Sequence, residues 1–409
     1  MSRKRIVVLG GGFAGLWSAV GAARKLDELQ VAPDDVEVTL VNRDAYHSIR
    51  VRNYEADLTS ARVALDDVLK PIGVKRVEGE VTAIDVGRQT VTVSSADAPQ
   101  VLAYDRLVFA LGSQLARPHI EGLAEHTFDV DTYTGAQKLE MHLQSLPRLP
   151  YTPGRFTAVI VGAGLTGVET ACEMPARLRQ IARQASIETT TRVILADHKP
   201  WVGADMGEAA RPLIETALQE LGVETRLGVD VAAVSLSGVR LRSGESIEAA
   251  TVIWCAGMRA SPLARLFPVE RDPLGRLPVD EFLRVAGTQA VFAAGDSARL
   301  QVAPEHSSVM SCQHSRPMGR YAGHNVVCDL LGLPMLPLAI EWYVTVLDLG
   351  PWGALYTEGW DRHVVSQGPA AKKTKQTINQ QRIYPPVSGD RQAILGAAAP
   401  TLQSPPRTD

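Results

Sequence analysis

R-I-V-V-L-G-G-G-F-A-G, Arg5 to Gly15, is the stretch that decides how this chain folds. Four aliphatic residues, Ile6 to Leu9, make a short buried strand, and Phe13 to Arg24 follows as a run with few helix breakers. Between them Gly10, Gly12 and Gly15 satisfy G-x-G-x-x-G with a strand before and a helix after, the context that gives the motif meaning. Gly10 permits the tight turn, Gly12 lets the backbone approach a pyrophosphate, and Gly15 lets the helix lie close to the strand. The helix N-terminus, with Phe13 and Ala14 in its first turn, then offers free N–H groups and a partial positive charge to phosphates.

The motif recurs. Phe156 to Gly167 reads F-T-A-V-I-V-G-A-G-L-T-G, with Gly162, Gly164 and Gly167 in the same register and Leu165 and Thr166 opening the helix. One glycine turn between a strand and a helix is common; two complete units, with first glycines at 10 and 162, are not. Each unit can hold one dinucleotide, so the chain is read as holding two. In such a unit the second strand ends in an acid that binds a ribose diol. The strand Arg192 to Ala196 ends in Asp197, which suits that task in the second half. The strand Val36 to Val41 ends instead in Asn42, whose amide can bond a hydroxyl without charge assistance. Arg43 to Tyr54 then holds Tyr46, His47 and three arginines, and reads either as a solvated basic loop or as arginines set near phosphates.

Bulk properties narrow the class. A chain of 409 residues can form two or three domains, and 45% hydrophobic with 21% charged residues is ordinary for a globular protein. A net charge of −3 argues against a nucleic-acid binder. No apolar run approaches the roughly 18 residues needed to span a bilayer, and a first strand beginning near residue 5 leaves no room for a cleaved signal. The four cysteines, Cys172, Cys255, Cys312 and Cys328, are scattered, so no structural zinc or other metal site is expected and a reducing compartment is implied.

The remaining elements are legible by pattern. Glu78 to Val93 alternates like a hairpin, and Tyr104 to Ser113, Thr251 to Gly257 and Val291 to Ala298 read as buried strands. P-Y-T-P-G at Pro150 to Gly154 is a linker. Three tryptophans between Glu341 and Trp360 surround a G-P-W-G turn and suggest an aromatic hairpin. Arg362 to Gly389 has five basic residues and no acid, and reads as a solvated charged face. Residues 396–409 read as a disordered tail.

Four of these motifs, Gly10 to Gly15, Tyr104 to Ser113, Gly162 to Gly167 and Val291 to Ala298, resemble in order and spacing the two-dinucleotide-domain flavoproteins of the pyridine nucleotide–disulfide oxidoreductase superfamily. The resemblance implies an α/β fold with two Rossmann-type domains. A discontinuous FAD domain (1–125 and 275–330) would enclose an inserted NAD(P)H domain (150–270), followed by a small C-terminal α+β domain (335–395). It assigns cofactor contacts to the six glycines, to Phe13, Ala14, Leu165 and Thr166, and to Asn42, Arg43, Val81, Ala110, Gly112, Asp197, Gly257, Gly295 and Asp296. Asp296 matches the aspartate that bonds the ribityl chain of FAD.

G-A-G-L-T-G-V-E-T-A, Gly162 to Ala171, and T-V-I-W-C-A-G look most like the type II NADH dehydrogenases. That likeness implies catalytic roles for Glu169, near the nicotinamide–flavin contact, and for Gln313, which it also assigns to cofactor contact. Disulfide reductases of the superfamily carry a cysteine pair that this chain lacks. Two departures stand out. The dehydrogenases have A-Q-x-x-x-Q after the aspartate motif, where this chain has Cys312, Gln313 and Pro317. Their amphipathic membrane-anchoring end is here the polar K-K-T-K-Q-T-I-N-Q-Q-R.

The expectation is therefore an FAD-dependent NADH oxidoreductase, with NADPH left open, that passes electrons directly to a quinone or another small flat acceptor. Loss of the second glutamine predicts measurable but inefficient reduction of short-chain quinones, with a different physiological acceptor. A cytoplasmic location is expected, with at most weak association with the inner face of the membrane, no stable insertion and no nucleic-acid partner. A homodimer is left open. Two competing readings are a reductase for an iron–sulfur protein and a slow NADH-sensing flavoprotein resembling apoptosis-inducing factor.

Overall fold

The computed structural model describes residues 3–95 and 98–406. Strand β1 (Lys4–Leu9), helix α1 (Phe13–Glu28), β2 (Val36–Asn42), β3 (Lys75–Glu78) and β4 (Arg106–Phe109) build the first half. The second half repeats the plan with β5 (Thr157–Val161), α2 (Leu165–Gln184), β6 (Arg192–Asp197), β7 (Val223–Leu227) and β8 (Thr251–Trp254). The chain then returns to the first sheet through β9 (Val291–Ala293) and leaves it along α3 (Cys312–Leu330).

The two sheets have strand orders β9-β4-β1-β2-β3 and β7-β6-β5-β8, and every pairing within them is parallel. Parallel sheets are covered on both faces, which is why Ile6 to Leu9 and all of β5 are buried rather than alternating. The first sheet draws its strands from residues 4–109 and 291–293, and the second from 157–254 between them. Strands Ser113–Leu115 and Met258–Ala260 pair antiparallel where the chain passes between the two sheets. The expected hairpin forms as Glu80–Asp85 against Thr90–Ser94.

Helices α1 and α3 pack at the closest approach in the first half. A Cβ on Gly319 would lie 2.4 Å from Ala14 O, one on Gly323 2.3 Å from Ser18 O, and one on Gly21 3.0 Å from Arg320 O. Glycines four residues apart on α3 therefore let backbone meet backbone, and α1 is held in a fixed register against α3.

The C-terminal sheet is an antiparallel meander of β10 (Val344–Asp348), β11 (Ala354–Glu358) and β12 (His363–Gln367), backed by α4 (Gly368–Thr377). Its Leu347, Leu349 and Leu355 join the apolar core of the second half. Two sequence expectations fail here. Arg362 to Gly389 is not a solvated face, because Lys375 is buried and Lys372 makes ion pairs with Asp348 and Glu173. The tail is ordered as far as Pro406: α5 (Arg391–Ala397) buries Ile394 and Leu395 in the first core with Ala398, and residues 401–406 bond to α3, to Arg382 and to Tyr356. Residues 1–2, 96–97 and 407–409 of the expected first domain and tail lie outside the described residues. No helix among the described residues is long and apolar enough to cross a membrane.

Candidate active site

The two glycine loops share one geometry. Gly10 and Gly162 have φ of +100° and +111°, accessible to glycine at little cost. A Cβ on Gly15 would lie 1.8 Å from Gly10 O, and one on Gly167 1.7 Å from Gly162 O, so any larger residue would push the helix off its strand. At the middle position the opposite holds. Gly12 has nothing within 4 Å of a built Cβ, and Gly164 has only Asp205 Oδ2 at 3.9 Å. Each loop is therefore tight where it touches the protein and open where a phosphate would approach. Neither Gly12 nor Gly164 makes a side-chain cap bond, and the first-turn amides of α1 and α2 have no intrahelical partners. Phe13 is half-buried and edge-on to His47, Ala14 is buried against Gly295, Leu165 is half-buried and Thr166 is exposed.

The residues at the ends of β2 and β6 do something the sequence did not announce. Asn42 Oδ1 accepts from Gly11 N at 2.8 Å, and Asp197 Oδ2 accepts from Ala163 N at 2.5 Å. Each side chain fastens its glycine loop to the strand end. Asp197 Oδ1 also accepts from Lys199 N at 2.7 Å and faces His198 Nδ1 at 3.1 Å. A second tie on the first loop comes from fully buried His47, whose Nδ1 bonds Gly11 O at 2.8 Å. Burial holds this imidazole neutral, with its pKa down to about 4. Arg43 is exposed beside Asn42, while the Val81 side chain packs into the core just beyond Gly79, whose N–H bonds Asn42 O.

The ends of β4 and β9 meet above these loops. Ala110 O closes the turn against Gly10, and Gly112, at φ +67°, presents its carbonyl to Ser297 Oγ and Ser261 N. Gly295, at φ +73°, positions Asp296. Asp296 Oδ2 accepts from Ser113 Oγ at 2.6 Å, Oδ1 accepts from Ser315 Oγ at 3.2 Å, and Arg50 Nη1 lies 3.7 Å away. Arg50 is also paired with Asp131. Gly257 accepts from Ala116 N through its carbonyl and precedes Met258, whose sulfur lies 3.4 Å from Arg50 Nη2. Gln313, in the first turn of α3, reaches the edge of β10, with long bonds to Trp342 O at 3.5 Å and Val344 N at 3.4 Å. Pro317 is buried within α3.

Glu169 is buried on α2 and paired with Lys375 of α4, Oε1 to Nζ at 2.7 Å. Asp348 N donates to the same oxygen at 3.1 Å, and Lys375 also donates to Val346 O. Burial pushes the Glu169 carboxyl up while Lys375 opposes it; burial works against the Lys375 charge, but Glu169 and Asp348 outweigh it and its pKa rises. Asp348 is itself held by Lys372 at 2.5 Å and Tyr54 OH at 3.1 Å. Lys375, Asp348, Lys372 and Tyr54 escaped the sequence reading, since nothing local marks a residue whose partners lie on another domain. All four cysteines are unpaired, and burial pushes the thiols of Cys172, Cys255 and Cys312 up, out of the thiolate range.

Comparison with known proteins agrees with this geometry. The profile of the family described as pyridine nucleotide-disulphide oxidoreductase matches residues 4–319. The NADH dehydrogenase-like protein of Mycobacterium tuberculosis strain H37Rv is 59% identical over 402 residues, covering 98% of this chain and 100% of its own. A type II NADH:quinone oxidoreductase of Staphylococcus saprophyticus is 28% identical over 402 residues, covering 93% and 96%. Among solved structures, NDH2 from Plasmodium falciparum in complex with NADH superposes with a TM-score of 0.77 at 14% identity, covering 97% of each chain. With paired glycine loops, a family match across both halves and a full-length relative, this chain belongs to the pyridine nucleotide-disulphide oxidoreductase family and is an oxidoreductase.

Proposed function

We propose that this protein is an FAD-dependent NADH oxidoreductase that delivers electrons to a quinone or another small flat acceptor without a redox-active disulfide. The observation that carries the reading is the pair of glycine loops, each open at its middle glycine and closed at its third. They fit two dinucleotides on one chain. When bound, FAD would take hydride from NADH and pass the electrons on. The chain's part is to bind and orient. The first-turn amides of α1 would hold the FAD pyrophosphate, Asp296 its ribityl chain, and the first-turn amides of α2 the pyrophosphate of NADH. Lys375 is a buried cation near Cys312 at the start of α3, and with Glu169 it can hold a proton between Nζ and Oε1. Relatives named as NADH:quinone oxidoreductases support the acceptor class.

The test is anaerobic reduction of the purified protein by NADH, followed by mixing with oxygen, a short-chain ubiquinone, a menaquinone analogue or a ferredoxin. The expected result is a yellow protein bleached by NADH and reoxidised fastest by a quinone. A colourless protein that cannot be reconstituted with FAD would overturn the cofactor assignment. Reoxidation by the iron–sulfur protein alone would overturn the acceptor.

A further inference from the structure

Helix α3 carries a cluster of buried positive charge. Arg316 and Arg320 lie four residues apart on it and are only 8% and 4% exposed. Both guanidiniums sit over the ring of Trp17, 5.7 and 4.7 Å from its centroid. Their partners are unusual for buried cations. Arg316 Nη1 donates to Gln403 Oε1 at 3.0 Å, and Arg320 Nη1 donates to Thr401 O at 3.5 Å. A third arginine, Arg382, donates to Ser404 O at 2.6 Å. All three acceptors are neutral oxygens on one short strap, residues 401–404. Among the described residues none of the three arginines pairs with a carboxylate, and Nε of Arg316 and of Arg320 has no partner at all. Burial, with Arg320 and Arg382 nearby, pulls Arg316 down to about 10. Buried charges are ordinarily paired, so among the described residues this cluster lacks a counter-charge.

We propose that Arg316, Arg320 and Arg382 form an oxyanion-binding site of the phosphate class, and that the strap 401–404 is its removable cover. Planar guanidinium forks match the spacing of phosphate oxygens, and Trp17 backs two of them with an aromatic face. The strap's Oε1 and carbonyl oxygens hold the places that anion oxygens would fill. Thr401, Gln403 and Ser404 are exposed, and Leu402 is the one strap residue packed against the first core, so lifting the strap uncovers a single half-buried leucine. The proposal stands on α3, α1 and the strap, and is independent of the identity of the electron acceptor.

The test uses the full-length protein as purified. Inorganic phosphate is titrated by calorimetry at constant ionic strength with chloride as the control. Vesicles of phosphatidylglycerol or of phosphatidylcholine are assayed by co-sedimentation in parallel. Saturable phosphate binding is expected, tightened several-fold in Gln403→Ala and weakened at least tenfold in Arg316→Gln/Arg320→Gln. Binding to phosphatidylglycerol vesicles without free phosphate binding, and with the same dependence on the arginines, would identify a lipid headgroup as the phosphate source. If the arginine variant fails to fold, the comparison of wild type with Gln403→Ala decides. The proposal is overturned by no saturable binding to either protein, by an equal response to chloride, or by affinity that Gln403→Ala and the arginine changes leave unmoved.

Discussion

Glu169 and Lys375 meet across 206 residues of sequence, and their pairing sets what single substitutions do at the site. Removing one partner of a buried ion pair leaves the other charge stranded, which costs about 3–5 kcal/mol. Lys375→Met should therefore lower the urea midpoint strongly, and Glu169→Gln/Lys375→Met should recover most of the loss. A double variant no more stable than the single one would show that the pair is not the cause. The same substitution leaves burial of Glu169 opposed only by the Asp348 N–H bond, so its carboxyl moves further up from its already raised value. Asp197 makes a second case. Its carboxylate is occupied by the glycine loop, and if the second loop holds NADH as proposed, its charge would stand beside the ribose and repel a 2′-phosphate. NADH should be preferred to NADPH, with His198 and Lys199 moderating the difference; equal kcat/KM for the two would refute that role.

At the scale of elements, the contact of α1 with α3 tests whether helix register matters to cofactor binding. A Cβ on Gly319 meets backbone at Ala14 and the Trp17 Cβ at 3.0 Å, neither of which can swing aside. Gly319→Ala should cost roughly 1–3 kcal/mol by overpacking, and should release flavin if α1 carries the FAD pyrophosphate loop as proposed. Gly396, in α5, has open space around it and an ordinary φ. Gly396→Ala should be neutral or stabilising by up to about 1 kcal/mol. Equal melting temperatures and flavin content for the two variants would sink the argument. The same contrast explains what the sequence disclosed. Strands, glycine turns and the hairpin at 80–94 rest on local patterns with fixed periods. Lys375 and the strap 401–406 depend on partners far away in the chain, Glu169 and Arg316, so five basic residues without an acid read as solvent-facing. Asn42 and Asp197 were found at the right places, but their bonds to Gly11 and Ala163 follow from loop curvature that spacing alone does not reveal.

For the molecule as a whole, buried histidines set the response to acid. His47 ties the first glycine loop, and His314 Nδ1 accepts from Val309 N at 2.9 Å, a bond that requires the neutral ring. Burial lowers both, and likewise buried His324 of α3, to about 4. In the unfolded chain each would titrate near 6.5. Between those values the unfolded state binds more protons than the folded one, so stability is lost as pH falls from about 6.5 toward 4. The slope is about 1.4 kcal/mol per pH unit for each group. Below that window the native state takes up the protons too, and the loss levels off. Urea midpoints measured at pH 7.5, 6 and 5 should fall in step. His314→Gln, whose side-chain oxygen can still accept from Val309 N, should flatten the slope by about a third, since His47 and His324 remain. Because His47 holds Gly11 in the loop assigned to the FAD pyrophosphate, flavin fluorescence should rise over the same pH range as the cofactor leaves. Midpoints independent of pH across this window, or an unchanged slope in His314→Gln, would show that these imidazoles do not control acid stability.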